Sequence, residues 1–389
     1  MIDLAVKPDS ANEQMPLKPL DVAIYLADQN PHRDRSLGIT TMTRALLDQF
    51  ATRADVNATQ IISSSSFAAP QSAIESKRIP LRTDRPIGRL LTDGFHPWFV
   101  NPNADVWYYP KGYAPRFSLP KLPCVGTMHD VIVQYYADRF PNSRPRFAFR
   151  YWINSVRRSL EKFDCVLTVS NHAATQLKTF CDRHAIETPE ICVTYEGTHW
   201  ERYRSLRFEK RNQVIHLASS APHKRTNHLL EMWQTLTKRG RDLPHLLMVG
   251  EVDAETRSTI SQDQGVSLRP RMPIESLRDA VGQSLALIIP SEIEGFGLPA
   301  LESYYVGTPA CFVNKTSVDE VLNTGSEDGE SIQGSFDLDD VDSFAVALDQ
   351  VLALGSQNVR CTSDRLYQAF STDRIATRVI SALRRTASV

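Results

Sequence analysis

The chain has 389 residues, of which 42% are hydrophobic and 23% charged, and its formal net charge is −1. This composition is ordinary for a globular protein, and the length favours two domains over a single core. The near-neutral charge excludes bulk attraction to nucleic acid, and no stretch approaches the roughly 18 consecutive apolar residues of a membrane span.

The N-terminal residues and the cysteines bear on where the chain resides. Residues 1–19 carry an acid at position 3 and no basic flank, so they lack the pattern of a signal peptide and predict a loosely held extension. The six cysteines form no C-x-x-C pair and show no metal-ligand spacing. Most lie in apolar runs, where cysteine behaves as a small hydrophobic residue. We therefore predict free thiols in a reducing cytoplasm.

Short apolar runs alternate with longer amphipathic segments along the chain, which predicts parallel sheets with helices on both faces. The alternation occurs twice, with the polar segment 196–213 between the two series. We therefore predict an α/β protein with two doubly wound domains, residues 1–204 and 205–370. The predicted strands are 21–27, 106–110, 124–128, 165–170 and 191–195 in the first series, and 214–219, 245–250, 285–291 and 309–314 in the second.

A final helical segment, residues 371–389, follows the second domain, and we expect it to cross back to the first. Ligands of doubly wound sheets bind at the carboxyl ends of the strands. A ligand shared by two such domains would therefore lie in the cleft between them.

Two polar residues, His129 and Asp130, directly follow the buried strand 124–128 of the first domain. The imidazole of His129 could hydrogen-bond a sugar hydroxyl or lie beside a reacting centre. A His-Asp pair is common, however, and an aspartate that caps the next helix is the simpler interpretation of Asp130.

The segment 144–163 interleaves six basic residues with aromatic ones. An apolar stripe at helical spacing is more typical of a core helix with a solvated basic face. The alternative is contact with an anionic membrane that carries a lipid-linked acceptor. The stripe consists of Phe149, Ile153, Val156, Leu160 and Phe163.

Two cations, Lys224 and Arg225, follow the predicted strand 214–219 and precede a helix. A cation at the carboxyl end of a strand can neutralise a diphosphate leaving group. A solvated basic turn is the alternative interpretation.

Residues 291–303, "SEIEGFGLPALES", place two acids around a glycine-rich turn between a strand and a helix. Gly295 and Gly297 allow a sharp turn close to a ligand, and the free amides at the helix start favour anionic oxygens. Glu294 and Glu302 could accept hydrogen bonds from sugar and ribose hydroxyls. The stretch therefore indicates a nucleotide sugar, whereas a structural turn with a helix-dipole acid is the alternative.

The motif "EGFGLPALE" resembles the E-x7-E motif of retaining GT-B glycosyltransferases of the family 4 type. Residues 268–299 are similar to that family's run of strand, short helix, strand and motif loop. The resemblance covers most of the second domain and scattered points of the first. It implies two Rossmann-like domains that face each other across a cleft, the first binding the acceptor and the second the nucleotide sugar.

The resemblance also implies roles for the motif residues. Glu302 would bind the nucleotide ribose, and Glu294 would contact the donor sugar. The backbone amides of Phe296, Gly297 and Leu298 would approach the sugar or the phosphates.

Outside the motif, the resemblance implies that Lys224 binds phosphate and that His129, followed by Asp130, lies near the 6-position of the donor sugar. The arginine that the family usually has in the loop of Lys224, next to that lysine or a few residues before it, is missing here. Arg225, on the other side of Lys224, would substitute for it. Gly38 would belong to the glycine-containing first loop that faces the cleft. The catalytic set implied in this way is Glu294, His129 and Lys224.

Asp337-Leu338-Asp339 mimics the metal-binding D-x-D motif of another glycosyltransferase fold. We interpret Asp339 or Asp340 as opening a helix, and the family has a similar loop there that binds no metal. We therefore expect neither a metal nor a cofactor.

The function that the resemblance implies is retaining, metal-independent transfer of a hexose, with mannose favoured, from a GDP- or UDP-linked sugar. The acceptor would be a hydroxyl of a glycan, a lipid-linked molecule or a small molecule in polysaccharide biosynthesis. The alternatives are a nucleotide-sugar epimerase on the same fold and a catalytically weak nucleotide-sugar-binding scaffold. We expect a cytoplasmic protein, with peripheral contact at the inner face of the membrane as a further expectation.

Overall fold

The computed structural model describes residues 18–29, 37–63, 74–83, 85–118, 120–260, 265–326 and 331–388. Of the predicted N-terminal extension, residues 1–17 lie outside this part of the chain. The strands of the described chain form two sheets, one of seven strands and one of six, and every pairing is parallel. The prediction of two doubly wound domains is confirmed.

The first sheet has the strand order β3-β2-β1-β4-β5-β6-β7. Its strands are β1 (Leu20–Tyr25), β2 (Val56–Ser63), β3 (Glu75–Ile79), β4 (Val106–Tyr109), β5 (Cys124–Met128), β6 (Cys165–Thr168) and β7 (Glu190–Val193). Its helices are α1 (Leu37–Phe50), α2 (Pro86–Phe99), α3 (Ile132–Arg139), α4 (Arg146–Leu160) and α5 (Asn171–Arg183). The order reverses between β1 and β4, which marks the switch point where doubly wound sheets bind ligands.

The second sheet has the order β10-β9-β8-β11-β12-β13, with its switch point between β8 and β11. Its strands are β8 (Gln213–Ser219), β9 (His245–Glu251), β10 (Val266–Arg269), β11 (Leu287–Ile289), β12 (Ala310–Val313) and β13 (Ser335–Phe336). Its helices are α6 (Thr226–Lys238), α7 (Ala254–Thr259), α8 (Ile274–Gly282), α9 (Leu298–Tyr305), α10 (Ser317–Asn323) and α11 (Val341–Ala353), followed by α12 (Ser356–Phe370) and α13 (Thr372–Ala387).

The central strands are apolar because helices cover both faces of each sheet. Every side chain of β4, β5, β6 and β12 is buried. A strand covered on both sides has no need of the alternation seen in half-exposed sheets, so its sequence reads as a continuous apolar run. Of the predicted stripe 149–163, Ile153 is half-buried and the other four residues are buried.

The C-terminal helix α13 packs against α1 of the first domain. Gln49 Nε2 donates to Thr372 Oγ1 at 3.0 Å, and Arg53 pairs with Asp373 at 2.9 Å. Arg384 Nη2 donates to the carbonyl of Asp55 at 2.9 Å. These contacts join the end of the chain to the first domain. Among the described residues, no helix has both the length and the apolar character needed to cross a bilayer.

Candidate active site

The loop between β11 and α9 carries the glycine-rich motif and reaches the switch point of the second sheet. Gly297 precedes α9 with φ +99°, a left-handed conformation in which a side chain is strained, and a Cβ there would lie 2.7 Å from Val318. Phe296 is buried and packs edge-on against Phe370 with ring centroids 5.4 Å apart. The loop is thus anchored by Phe296. Pro299 has no N–H and the amide of Ala300 donates to the carbonyl of Gly297 at 2.9 Å, so Leu298 supplies the first amide of α9 that an anion can reach.

The motif loop also lies directly against the first domain. A Cβ at Gly295 would come within 2.5 Å of the carbonyl oxygen of His129. Ser170, which caps α5, donates its hydroxyl to the carbonyl of Gly295 at 2.7 Å. Glycine at 295 therefore permits a close backbone approach between the domains.

Glu294 and Lys224 form an ion pair in the cleft, with Lys224 Nζ 2.5 Å from Glu294 Oε1. Glu294 is only 9% exposed, and burial alone would raise its pKa. The charge and hydrogen bond of Lys224 outweigh that effect, so the pKa of Glu294 falls below its ordinary value. Glu294 is therefore an ionised carboxylate that can accept hydrogen bonds.

Glu302 faces a different environment on α9. Its Oε1 accepts a hydrogen bond from Thr198 Oγ1 at 2.7 Å. Burial raises its pKa to about 7, the Thr198 bond opposes this, and the nearby charge of Glu196 adds to it. No cation of the described chain forms an ion pair with Glu302. Its carboxyl group is therefore divided between the acid and the carboxylate near neutral pH.

His129 is buried and both of its ring nitrogens contact acceptors. Nδ1 lies 2.7 Å from Glu196 Oε1, and Nε2 lies 2.8 Å from the carbonyl oxygen of Pro110. Only the doubly protonated ring can donate to both partners. Burial alone would lower the pKa of His129, but the bond and charge of Glu196 raise it above its ordinary value. Asp130 Oδ1 accepts from the amide of Ile132 at 3.0 Å, as a residue at a helix start does.

Arg225 pairs with an acid of the motif loop. Its Nε lies 2.6 Å from Glu292 Oε2, and Arg139 of the first domain lies 2.5 Å from the other oxygen of Glu292. The shared glutamate therefore links the two domains. Beside it, the hydroxyl of Tyr136 contacts Nδ1 of His223 across the cleft.

The structure therefore brings the predicted residues Glu294, Glu302, Lys224 and His129 to the facing edges of the two domains. Gly38 is the second residue of α1; it is exposed, and a Cβ there would meet no atom within 4 Å. The roles assigned to these residues stay predictions.

Sequence reasoning missed the partners Glu196, Thr198 and Glu292. The available signal was topological: Glu196 and Thr198 follow β7, whose carboxyl end meets the same sheet edge as that of β5, which His129 follows.

The aspartates of the segment 337–340 serve the protein's own structure. Asp340 caps α11 by accepting from the amides of Asp342 at 2.9 Å and Ser343 at 3.0 Å. Asp337 accepts from Asn314 Nδ2 at 2.8 Å. In the part of the chain that the structure describes, one group has metal-like spacing, namely Cys165, Glu190 and Cys192, on β6 and β7.

Comparison with known proteins finds a matching family over most of the second domain. Residues 200–364 match the family described as Glycosyl transferases group 1. The chain is 24% identical to O-antigen chain mannosyltransferase B of Escherichia coli over 322 residues, which cover 76% of this chain and 78% of the relative.

Solved structures of similar fold cover nearly the whole chain. Sucrose-phosphate synthase from Thermosynechococcus elongatus superposes with a TM-score of 0.65 at 15% identity, covering 94% of this chain and 98% of that one. Anabaena HepE in complex with UDP and glucose has a TM-score of 0.61 at 13% identity, covering 94% and 100%. The predictions of a GT-B fold and of a glycosyltransferase are confirmed, and residues 200–364 carry the similarity to the glycosyl transferases group 1 family.

Proposed function

We propose that this glycosyltransferase is a retaining, metal-independent enzyme of the family 4 type that transfers a hexose from a nucleoside diphosphate sugar. The observation that carries the proposal is the ion pair of the half-buried Lys224 with the buried Glu294 at the carboxyl end of the second sheet. Glu294 lies eight residues before Glu302. A cation beside a carboxylate that accepts hydrogen bonds from hydroxyl groups fits a ligand in which a diphosphate is joined to a sugar.

The donor would lie along the motif loop. The amides of Phe296, Gly297 and Leu298 would face the diphosphate at the start of α9, where the helix dipole favours negative charge. Lys224 would neutralise the same group, and Glu302 would accept hydrogen bonds from the ribose hydroxyls. Arg225 would contribute only if the phosphate drew its guanidinium away from Glu292, to which it is bonded in the free protein.

The transfer step needs no protein nucleophile in this proposal. The acceptor oxygen attacks the anomeric carbon on the face that the diphosphate leaves, and the departing phosphate oxygen takes the acceptor proton. Lys224 and the amides of Phe296, Gly297 and Leu298 would stabilise the charge that develops on the diphosphate. No metal or other cofactor takes part. Glu294 is held as a carboxylate, so it would orient a sugar hydroxyl rather than supply a proton.

His129 would act through its charge and position. Its two ring protons are donated to Glu196 and to the carbonyl of Pro110, so the ring is not free to serve as a general base. A buried imidazolium beside the motif loop would favour the negative diphosphate as it leaves. Asp130 would fix the start of α3 beside the same site.

The sugar and acceptor are inferred from the relatives. The mannosyltransferase similarity favours mannose, and hence GDP-mannose over a UDP-linked hexose. The name of the same relative refers to the O-antigen chain, which favours a glycan or lipid-linked acceptor in polysaccharide biosynthesis over a small molecule. The protein would then act in the cytoplasm at the inner face of the membrane.

Two alternatives use the same cleft. A nucleotide-sugar epimerase would isomerise the donor without an acceptor, and a binding scaffold would hold it without chemistry. The absence of the usual arginine from the loop before Lys224 is the observation that favours a scaffold. Product analysis separates them, since each predicts a different outcome: a new glycoside, an altered sugar, or unchanged donor.

Nucleotide-dependent thermal melting is the first test. The protein is melted with GDP, UDP, ADP and dTDP at millimolar concentration, with and without EDTA. A ligand at about 100 times its dissociation constant adds roughly 2.7 kcal/mol. We expect stabilisation by GDP that EDTA does not change. No shift with any nucleotide would contradict the donor assignment, and a shift abolished by EDTA would contradict metal independence.

A further inference from the structure

Helix α2 has its apolar residues on the solvent side and its polar residues on the protein side. Ile87 is 75% exposed and Trp98 72%, and Leu90 and Leu91 between them are also exposed. The spacing of Ile87, Leu90 and Leu91 places them on one side of a helix, and Trp98 lies beyond a kink of α2 at Phe95. Apolar residues arranged in this way usually face the core, so this helix presents the opposite pattern.

The inward face of α2 is polar and hydrogen-bonded. His96 is fully buried, with Nε2 3.1 Å from the hydroxyl of Tyr109. Asp93 accepts from Tyr25 Oη at 3.3 Å and from Arg89 Nε at 3.2 Å. These bonds orient the helix and hold its apolar stripe outward.

The apolar exposure continues from α2 to α4. Phe117 stacks on Phe95 of α2 with ring centroids 5.0 Å apart. The guanidinium of Arg116 lies 5.5 Å from the Phe117 ring and 5.8 Å from the ring of Tyr151 on α4. Phe147, one helical turn before Tyr151, is 74% exposed.

We call this region the α2–α4 surface. It holds eight of the twelve large apolar side chains that are exposed in the described chain, and such concentration on one face marks an interaction site. The eight are Ile87, Leu90, Leu91, Trp98, Phe99, Phe117, Phe147 and Tyr151.

The charge around this surface is positive. Arg144, Arg146 and Arg150 are exposed beside Phe147 and Tyr151, and positions 140–160 contain no aspartate or glutamate. The one acid of α2, Asp93, is bonded inward.

We infer that the α2–α4 surface binds a lipid bilayer that contains anionic phospholipid. Leucine, isoleucine and aromatic side chains flanked by arginine are the combination with which peripheral helices enter the headgroup region. The lipid phosphates would pair with the arginines while the apolar side chains enter the acyl boundary. A folded protein partner would need an apolar face bordered by acidic side chains at matching positions. An anionic bilayer offers acyl chains and negatively charged headgroups over its whole surface.

The α2–α4 surface lies close to the ligand-binding edge of the first sheet. Tyr25 and Tyr109, which contact the inward face of α2, are the last residues of β1 and β4. That edge of the first sheet is where its ligand would bind. Docking on a membrane would therefore bring a lipid-linked acceptor to the acceptor side of the cleft; this step rests on the proposed function.

The test is cosedimentation of the full chain with vesicles of phosphatidylcholine alone or mixed with phosphatidylglycerol. We expect the partition coefficient to rise at least about tenfold with phosphatidylglycerol and to fall with salt. Ile87→Ser with Trp98→Ser should lower it about tenfold, as should Arg146→Gln with Arg150→Gln. The matched control is Ile274→Ser with Val346→Ser, which alters two apolar side chains of the second domain that are 50% and 58% exposed and should leave binding unchanged.

Equal binding to both vesicle types, or equal loss in the control variant, would overturn the inference. The inference would also be overturned if the protein did not bind vesicles and sedimentation velocity showed a dimer that the double substitution Ile87→Ser with Trp98→Ser dissociates. The surface would then join two copies of the protein. Nucleotide-dependent melting of the same variants separates this inference from the proposed function. Variants that lose vesicle binding but keep the nucleotide-dependent rise in melting temperature support the role of the α2–α4 surface. If the protein binds vesicles but no nucleotide stabilises it, only the proposed donor is contradicted.

Discussion

Replacing Glu302 with glutamine should stabilise the free protein above neutral pH, although it removes the group that we assign to the ribose. The side chain is half-buried, its carboxyl group accepts a hydrogen bond from the hydroxyl of Thr198, and the charge that acts on it is that of the acid Glu196. The ionised form is therefore disfavoured in the folded state. Glutamine keeps the size and a hydrogen-bonding oxygen without the charge.

The magnitude follows from the pKa. The pKa of Glu302 is about 7 in the folded chain against an ordinary value of 4.5. A pKa difference of this size corresponds to roughly 3 kcal/mol in the free energy of unfolding. We reduce this to about 2 kcal/mol because solvent reaches part of the side chain. Between pH 4.5 and 7 the unfolded chain loses the proton while the folded chain keeps it, so stability falls as pH rises through this range.

The assay is thermal melting of wild type and Glu302→Gln at pH 5 and pH 8, without and with the nucleotide that stabilises the wild type. We expect nearly equal melting temperatures at pH 5 and a variant about 4–8 °C higher at pH 8. The nucleotide-dependent shift should be smaller in the variant at pH 8. An identical difference at both pH values would refute the assignment of a raised pKa to Glu302, and an undiminished nucleotide shift would refute its role at the ribose.

Three further substitutions test other contacts of the cleft. Lys224→Met should leave the Glu294 carboxylate without its cation, lower stability by about 2 kcal/mol and weaken nucleotide binding, as measured by urea unfolding and calorimetric titration. The wild-type advantage over His129→Gln should be present below pH 6.5 and decline above it, because Glu196 raises the folded pKa; equal melting differences at pH 6 and pH 9 would contradict this. Gly295→Ala should cost about 1–3 kcal/mol, since the added Cβ meets a carbonyl oxygen at 2.5 Å; unchanged melting would contradict the close approach.

The elements that the sequence predicted well are those set by local chemistry. The buried strands were recognisable as apolar runs, and the turn before α9 followed from glycines and a proline. Asp340 at the start of α11 belongs to the same class, because a helix cap depends on neighbours two and three residues away.

The partners across the cleft could not be predicted in this way. His129 and Glu196 are 67 positions apart, and Lys224 and Glu294 are 70 apart. Topology brings both pairs to the sheet edges, but many other polar residues follow the same strands. Which of these residues contact each other depends on backbone positions that the strand order alone does not determine.

Helix α2, for which the sequence analysis makes no prediction, shows a different limit of sequence patterns. The spacing of Ile87, Leu90 and Leu91 is the pattern of a core-facing helix, yet these residues are exposed and His96 is buried. Periodicity indicates that one face is apolar without identifying what covers it. A bilayer and a protein core leave the same pattern in the sequence, so only the structure reveals the exposed stripe.

The pairing of Lys224 with Glu294 also bears on how the cleft would select its ligand. In the free protein each charge satisfies the other, so a ligand that separates them must replace both interactions. An anion alone would satisfy Lys224 and leave a buried carboxylate unpaired, whereas a neutral sugar would satisfy only Glu294. A sugar diphosphate supplies phosphate oxygens and hydroxyl groups from one molecule, so it can compensate both charges at once. We therefore expect the intact donor to bind more tightly than the bare nucleoside diphosphate, and Glu294→Ala to reduce that difference.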